Sequence, residues 1–498
     1  MTDTTTSAPA PAYNASGTGR RLRAWRPPNI GPNLGGTIDQ VVTRARDLVR
    51  NNPWAGAAVD RYVSNMIATG IQAKAVNGEQ AERAAVDALW KAWSRQSDAD
   101  CVLTFEAQQA LAAREWKESG EVFARIRSRR SGDGLVVPMQ VQMIESEQCP
   151  RSYYATASNG NAIREGVEFD RIGKRVAYWM YGAHPGDMHT GVTAINASEL
   201  RRIPADQVVH LHRPMRAGQI RGVPDMAGVA VRAFNLDRLD DNVLERQKVA
   251  NLFAVFLKRQ RPGSDGVLGE MQVSTDIDDT PIAGLEPGTM IELPDGMEPA
   301  FAQPPGAGTD YAAYMRFGLM AFAARVGVPY EVLTGDLQDV SDRALKLILL
   351  EFQRLIEMDL WLYMIPQFCE RIRGAWWDAA VLAGAISATG YAERAAWYRE
   401  TLWMPEGWPY SHPVQDVTAT KDAIAAGLTS RTKATLRRGE DPNDIDAEQA
   451  AGGVEQPAGG ARRFGRRRPL AGPGAGRAGR LRAPRRARPA RARAPACA

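Results

Sequence analysis

Residues 331–374 read EVLTGDLQDVSDRALKLILLEFQRLIEMDLWLYMIPQFCERIRG. Leu345, Ile348, Leu349, Phe352, Leu355, Ile356, Leu360 and Tyr363 recur at spacings of three and four, the pattern of a helix that buries one face. Ser341 or Asp339 is placed to cap its free N–H groups, and the nearby acids suit the positive end of the dipole. Pro366 predicts a kink, because proline donates no N–H and crowds the preceding turn. A helix over 342–365 would be about 35 Å long. The acidic loop Gly335–Ser341 has little apolar surface to bury, so it is expected to project.

Working upstream, a helix is predicted from Tyr311 to Arg325. Before it, residues 261–308 are rich in Gly, Pro and Asp, with short strand candidates at Met271–Val273 and Met290–Leu293. Residues 224–259 read as one long helix, in which Asp237, Asp241 and Glu245 fall at i, i+4 and i+8. Like charges at that spacing cost a little in an isolated helix. Such a stripe is either a solvated face or a surface that something else requires. The N-terminal half reads as helices at 37–49, 53–70 (opened by Asn52 and Pro53), 82–94 and 105–118. The period then becomes two. EVFARIRSR, MQVQMIE and VVHLH read as half-buried strands, and GVEFDRIGKRVAYWMY as a hairpin turning at Arg171–Lys174. Helices are expected again near 374–386, 391–400, 414–426, 430–438 and 443–450. The fold class is α+β, with helices first and a mostly antiparallel sheet after them.

The length of 498 residues predicts two to four sub-domains. Cys101, Cys149, Cys369 and Cys497 form no CxxC pair and read as reduced thiols. No apolar run approaches the roughly 20 residues of a membrane span, and the N-terminus lacks a signal pattern. The formal charge of +5 conceals an asymmetry. Residues 461–498 hold 13 Arg and no acid. Taking those from the 62 basic residues leaves 49 against 57 acidic, a body of net −8 with a basic tail.

Catalytic signatures are missing. There is no Walker-type phosphate loop, HExxH or GxSxG. His210 and His212 share one strand face, as two metal ligands can, but no Cys or third His lies near in sequence. Asp276, Asp278 and Asp279 suit a hard cation, although an exposed acidic turn is the commoner reading. Asp336, Asp339 and Asp342 resemble a nuclease carboxylate set only loosely, since such sites draw acids from several elements. The expectation is a non-enzyme with no cofactor and no metal. Arg462, Arg463, Arg466, Arg467 and Arg468 open a tail that can meet phosphates.

Six stretches together resemble the portal proteins of tailed bacteriophages, lambda type. They are RNNPWAGAAVDRYVSNMIATGI (50–71), GVEFDRIGKRVAYWMYGAHPGD (166–187), IPADQVVHLHRPMRAGQIRGVPD (203–225), LDRLDDNVLERQKVANLFAVFLKR (236–259), RVGVPYEVLTGDLQDVSDRALKLILLEFQRLIE (325–357) and GWPYSHPVQDVTATKDAIAAGLTS (407–430). The resemblance implies a ring of about twelve copies at one capsid vertex of the virion, assembled in the host cytoplasm. Double-stranded DNA would pass through it without sequence recognition. It also implies an arrangement: a flexible arm (1–36), a wing (37–223), a stem helix (224–260), a clip (261–308) and a second stem helix (309–327). Further wing follows (328–410), with a tunnel loop at 335–341 and a long helix at 342–374, then a crown (411–450) and a disordered Arg-rich tail (451–498). The implied partners are other copies of the chain, the terminase large subunit, the head–tail connector, and the major capsid protein or scaffold, with no membrane. The Arg/Ala/Pro/Gly end departs from the family, which often continues acidic and helical.

On this reading Asp336, Gln338, Asp339 and Ser341 face the DNA channel. Asp237, Asp241 and Glu245 form an acidic belt that lets a polyanion slide instead of gripping it. The rival readings are a metal-dependent nuclease built on the Asp clusters and a capsid scaffold or adaptor without a channel.

Overall fold

The alternation in β2 (Glu121–Ser128) sets the layering. In the computed structural model, which describes residues 31–187, 199–252, 256–257, 274–275, 281–282, 291–292, 310–338, 340–408 and 412–451, β2 is a central strand. It pairs antiparallel with β3 (Met139–Ile144) on one side and β9 (Val208–His212) on the other. Successive side chains of a strand point to opposite faces. Val122, Ala124 and Ile126 therefore join Val141, Val209 and Leu211 on the face that packs against helices. Phe123 joins Ile144 and Val208 on the opposite face, against Val167, Tyr178, Met180 and Ile203 of a second sheet. That second sheet is a five-stranded antiparallel meander: β4 (Ala155–Thr156), β5 (Ala162–Arg164), β6 (Val167–Phe169), β7 (Arg175–Met180) and β8 (Arg201–Pro204). The expected hairpin is β6–β7, its turn closed by Asp170 accepting from the N–H groups of Ile172 and Lys174.

The helical layer contains α1 (Thr37–Asn51), α2 (Pro53–Ile67), α3 (Gln80–Ser94) and α4 (Phe105–Ser119). Asn52 caps α2 as predicted, its Oδ1 accepting from the Ala55 N–H at 2.8 Å with Pro53 at the first position. Gly120 ends α4 at φ +86° and lies against the backbone of Val223 and Pro224. A Cβ there would stand 2.2 Å from the Val223 carbonyl carbon. The left-handed penalty adds to that clash, so Gly120→Ala is expected to destabilise the fold by more than about 2 kcal/mol, read by urea unfolding.

Two expectations change at the helices. The segment expected to be helical over 224–259 begins with a tight turn at Asp225–Gly228, and α5 runs only over Ala230–Leu252. Beyond it, Phe256–Leu257 is a strand (β10) paired parallel with Ile291–Glu292 (β13), so pairing overrides helical propensity there. Between them Ser274–Thr275 (β11) pairs with Pro281–Ile282 (β12). The candidate strand Met271–Val273 lies outside the described residues.

The second change concerns the long helix that contains Pro366. After α6 (Asp310–Val326) and the short α7 (Tyr330–Thr334), α8 spans Asp342–Asp359. The chain then continues as a π-helical stretch, Leu360–Cys369, into α9 (Glu370–Leu382). The wider turn accommodates the proline without ending the helix. The apolar stripe is also less covered than its period suggests. Phe352, Ile356 and Leu360 are buried, while Leu345, Ile348 and Leu349 are half-exposed and Leu347 and Leu350 face solvent.

α10 (Tyr391–Arg399) and β14 (Thr401–Met404) follow, and β14 pairs antiparallel with β1 (Gln72–Ala75). α11 (Pro413–Ala425) and α12 (Arg431–Leu436) come next. The final described element is α13 (Pro442–Ala451).

Candidate functional site

The loop between α7 and α8 is built by short-range hydrogen bonds. Gly335 leaves α7 at φ +72°, a conformation glycine adopts without strain. The Asp336 carboxylate accepts from the Gln338 N–H and from the Tyr330 hydroxyl, each at 3.1 Å. Those two bonds hold its pKa below the usual carboxylate range, the Gln338 contact first. Ser341 Oγ accepts from the Ala344 N–H at 3.3 Å and so caps α8. Leu337 and Gln338 are exposed at the tip. Asp339 lies outside the described residues. The loop thus presents an ionised carboxylate on a fixed turn, and Ser341 acts as a cap.

The acidic stripe of α5 is not uniform. Asp237 is half-buried, and its carboxylate accepts from Asn52 Nδ2 at 2.6 Å, which ties α5 to the start of α2. Glu245 pairs with Lys248 at 2.8 Å. Asp241 stands exposed. Asp240, off the expected stripe, accepts from the Tyr311 hydroxyl and links α5 to α6. Where the two helices meet, Gly318 lets Leu236 approach so closely that a Cβ would lie 2.6 Å from its methyl carbon. Arg462, Arg463, Arg466, Arg467 and Arg468 lie outside the described residues.

A family model described as phage portal protein, lambda family, matches residues 18–359. The chain belongs to the lambda family of phage portal proteins. The probable portal protein of Halomonas phage phiHAP-1 is 27% identical over 377 residues, covering 73% of this chain and 68% of that one. Portal protein B of Escherichia phage lambda is 22% identical over 503 residues and covers 89% of each. Among solved structures, a chain from the virion of a native gene transfer agent particle aligns at TM-score 0.42 and 15% identity, over 80% of this chain and 93% of that one. No helix of the described residues is long and apolar enough to cross a membrane.

This portal protein holds three charge clusters that sequence reasoning missed, two of them built around fully buried carboxylates and the third half-buried. In the first, the Glu121 carboxylate is fully buried. It accepts from Arg151 at 2.5 Å, from Arg221 at 2.6 Å and from the Gly222 N–H at 2.8 Å. Burial alone would raise its pKa, but Arg151 and Arg221 reverse that and hold it well below the carboxylate range. His210 Nε2 lies 2.9 Å from the same carboxylate, and its ring stacks on His212 at 4.1 Å. Arg175 donates toward the ring's other nitrogen, Nδ1, at 2.8 Å. Both nitrogens of His210 therefore serve a carboxylate–guanidinium network, and a metal on His210 would displace those contacts.

Burial, then the neighbouring cations led by Arg175, push His212 down to about 4. In the unfolded portal protein a histidine binds its proton near 6.5. Between those values the unfolded state holds more protons, so stability falls as pH drops from about 6.5 to about 4. The expected loss from His212 alone is about 3 kcal/mol, read from urea unfolding at successive pH values. Glu121 adds its own loss only further down, as pH falls through its depressed value.

In the second cluster, Lys117 Nζ reaches Asp359 at 2.8 Å and Asp225 at 3.1 Å, and the Tyr62 hydroxyl donates to Asp359 at 2.7 Å. Burial would lower the Lys117 pKa, but Asp225 and the other anionic partners raise it overall, so the ammonium stays charged. Asp359 falls on the same helix face as Phe352 and Ile356, and a charge on an apolar stripe was the signal available in the sequence. In the third, Arg46 bridges Glu115, at 2.8 Å, and Glu147, at 2.6 Å.

Glu145, Glu147 and His184 also lie close enough to share an ion. His184 Nδ1, however, accepts from the Gly186 N–H, which leaves the proton on Nε2, 3.0 Å from Glu145. That tautomer presents a donor where a metal needs a lone pair, and Arg46 already occupies Glu147. Asp276, Asp278 and Asp279 lie outside the described residues.

Arg373 differs from the other buried cations. It is 1% exposed, and none of its guanidinium nitrogens has a hydrogen-bond partner among the described residues. Trp90, Trp376 and Trp377 surround it, with ring centroids 4.4, 4.5 and 5.9 Å from the guanidinium carbon. Burial pushes its pKa down to about 9 against the pull of Asp87. A desolvated cation–π contact is worth about 2 kcal/mol. Burying an unpaired charge costs several kcal/mol, so the indoles offset only part of it.

Proposed function

We propose that this portal protein closes into a ring of about twelve copies at one capsid vertex, with the α7–α8 loop lining the channel through which double-stranded DNA is packaged and ejected. The observation that carries the reading is apolar surface left without a partner in one chain. Val231 and Phe234 on α5, Tyr314 and Phe317 on α6, and Leu347 and Leu350 on α8 are all more than half exposed. Patches of this kind mark surfaces that are covered on assembly, and a head-to-tail contact repeated about an axis closes into a ring.

Asp336 and Asp241, repeated around that ring, line it with carboxylates that offer DNA no counterion release. The residues between α5 and α6 form the clip that docks the terminase large subunit first and the head–tail connector later. The outer sheets meet the major capsid protein. The assembly is reached in the host cytoplasm, and no catalytic step is assigned to the chain.

Negative-stain microscopy of the purified chain tests this, and rings with an open centre are expected. Lone subunits that persist in the presence of assembling shells overturn the reading, and Mg²⁺-dependent cutting of DNA would favour the nuclease.

A further inference from the structure

We infer that the mouth between the two sheets, where Arg125, Arg127 and Arg201 come together, is a binding site for a phosphate group. Strand register places all three. On β2, Arg125 and Arg127 continue the face that begins with Phe123, and they pair with Gln142 and Gln140 of β3. On β8, Arg201 shares a face with Ile203 and stands opposite Met180 of β7. Phe123, Ile203 and Met180 pack in one apolar cluster. Both sheets therefore carry arginine on the faces they turn towards each other, next to the apolar layer that joins them.

The described residues do not neutralise this cluster. The side chains of Arg125 and Arg201 make no hydrogen bond or ion pair among them, and Arg127 donates to the uncharged Gln142 at 3.0 Å. Arg125 Nε is buried without a partner, but its two terminal nitrogens are not shut in, and Arg201 is exposed. Burial, then Arg127 and Arg201, lower the Arg125 pKa, and no carboxylate acts against them. Arg202, the next residue on β8, is by contrast bonded to Glu168 at 2.7 Å. Residues 188–198, which connect β7 to β8, contain no Asp or Glu. Three cations held together without a counter-charge repel one another, and an anion relieves that repulsion. Phosphate suits them better than a carboxylate, because it can carry two charges and offers oxygens for bidentate bonds to more than one guanidinium. The phosphate has two possible sources, free inorganic phosphate or the backbone of DNA.

The test is isothermal titration of the full chain with sodium phosphate at neutral pH and constant ionic strength, with sodium acetate as the reference anion. The expected result is saturable uptake of phosphate that acetate does not reproduce. Arg201→Gln should weaken it roughly tenfold, for one lost bond between charged groups, and Arg125→Gln by at least as much. The exposed Arg201 variant carries the test if Arg125→Gln does not fold. Arg50→Gln removes a charge from an exposed position on α1 and should leave the affinity unchanged. No saturable phosphate uptake, equal uptake of acetate, or a loss in Arg50→Gln as large as in Arg201→Gln overturns the proposal. Titration with a short DNA duplex separates the sources. Duplex binding that Arg201→Gln weakens and Arg50→Gln does not means the DNA backbone. Phosphate uptake without such duplex binding means free phosphate. All three arginines belong to one chain, so subunits that never assemble give the same readings, and failure of the ring reading and failure of this one are distinguishable.

Discussion

Replacing Glu121 by alanine is expected to lower the unfolding free energy by about 3–5 kcal/mol, because it removes the buried carboxylate shared by two buried cations and leaves Arg151 only the exposed Asp39 as an ion-pair partner among the described residues. Arg151 and Arg221 are 1% and 3% exposed, and both direct their guanidinium groups at this carboxylate. Arg221 also donates to the carbonyls of Cys149 and Glu165, which holds it in place after the substitution. It cannot swing out to water without breaking those bonds. Urea unfolding of Glu121→Ala and Glu121→Gln measures the effect. Glutamine keeps an acceptor but not the charge, so it should recover only a minor part of the loss. A loss under about 1 kcal/mol in the alanine variant would show that the arginines find water or another acid. The cluster sits where β2 and β9 pair, so local fraying of that strand pair should accompany the loss.

The second large effect is expected at Asp359. Asp359→Ala leaves Lys117 buried with the partly exposed Asp225 as its remaining carboxylate partner and removes the acceptor of the Tyr62 hydroxyl. A loss of about 3–5 kcal/mol follows from the same argument. The pair has a sharper test. Lys117→Met combined with Asp359→Leu removes both charges together, and an apolar pair of similar volume should restore most of the stability. A double variant as unstable as the sum of the singles would mean that the helices need this ion pair for their packing. Because Lys117 links α4, the turn before α5 and the helix that follows the loop, the variant also tests what orients that loop. Asp359→Ala assemblies, if they form, should differ at the α7–α8 loop and not at the sheets.

Much of the helical layer was legible locally. Asn52 with Pro53 marked the start of α2, and Ser341 marked the start of α8, because a cap is encoded within three residues of the helix it serves. The period-two runs located β2, β3, β7 and β9, and with them the face shared by His210 and His212. Pro366 was read as a disturbance of the helix, and the form the disturbance takes is a π-helical stretch. Whether a helix breaks or widens depends on how firmly its flanks are packed, and here Leu360, Met364, Ile365 and Phe368 are all buried. The end of α5 was misread for a similar reason. Phe256–Leu257 is held by Ile291–Glu292, a partner that no window around residue 256 contains.

The candidate site divides in the same way. By itself the sequence determined the α+β class, the order of helices and strands, the acidic loop before a capped helix, and the six ordered stretches that mark the portal family. Periodicity, capping and turn chemistry are properties of neighbouring residues, and they survive in any chain that carries them. Only the tertiary structure decided that Asp237 bonds Asn52 while Asp241 stays in solvent. It alone decided that Asp359 neutralises Lys117 from 242 positions away, and that Arg373 is enclosed by indoles without an acceptor. The electrostatic state of a side chain depends on distance in space and on exclusion of water, and neither exists until the chain has folded.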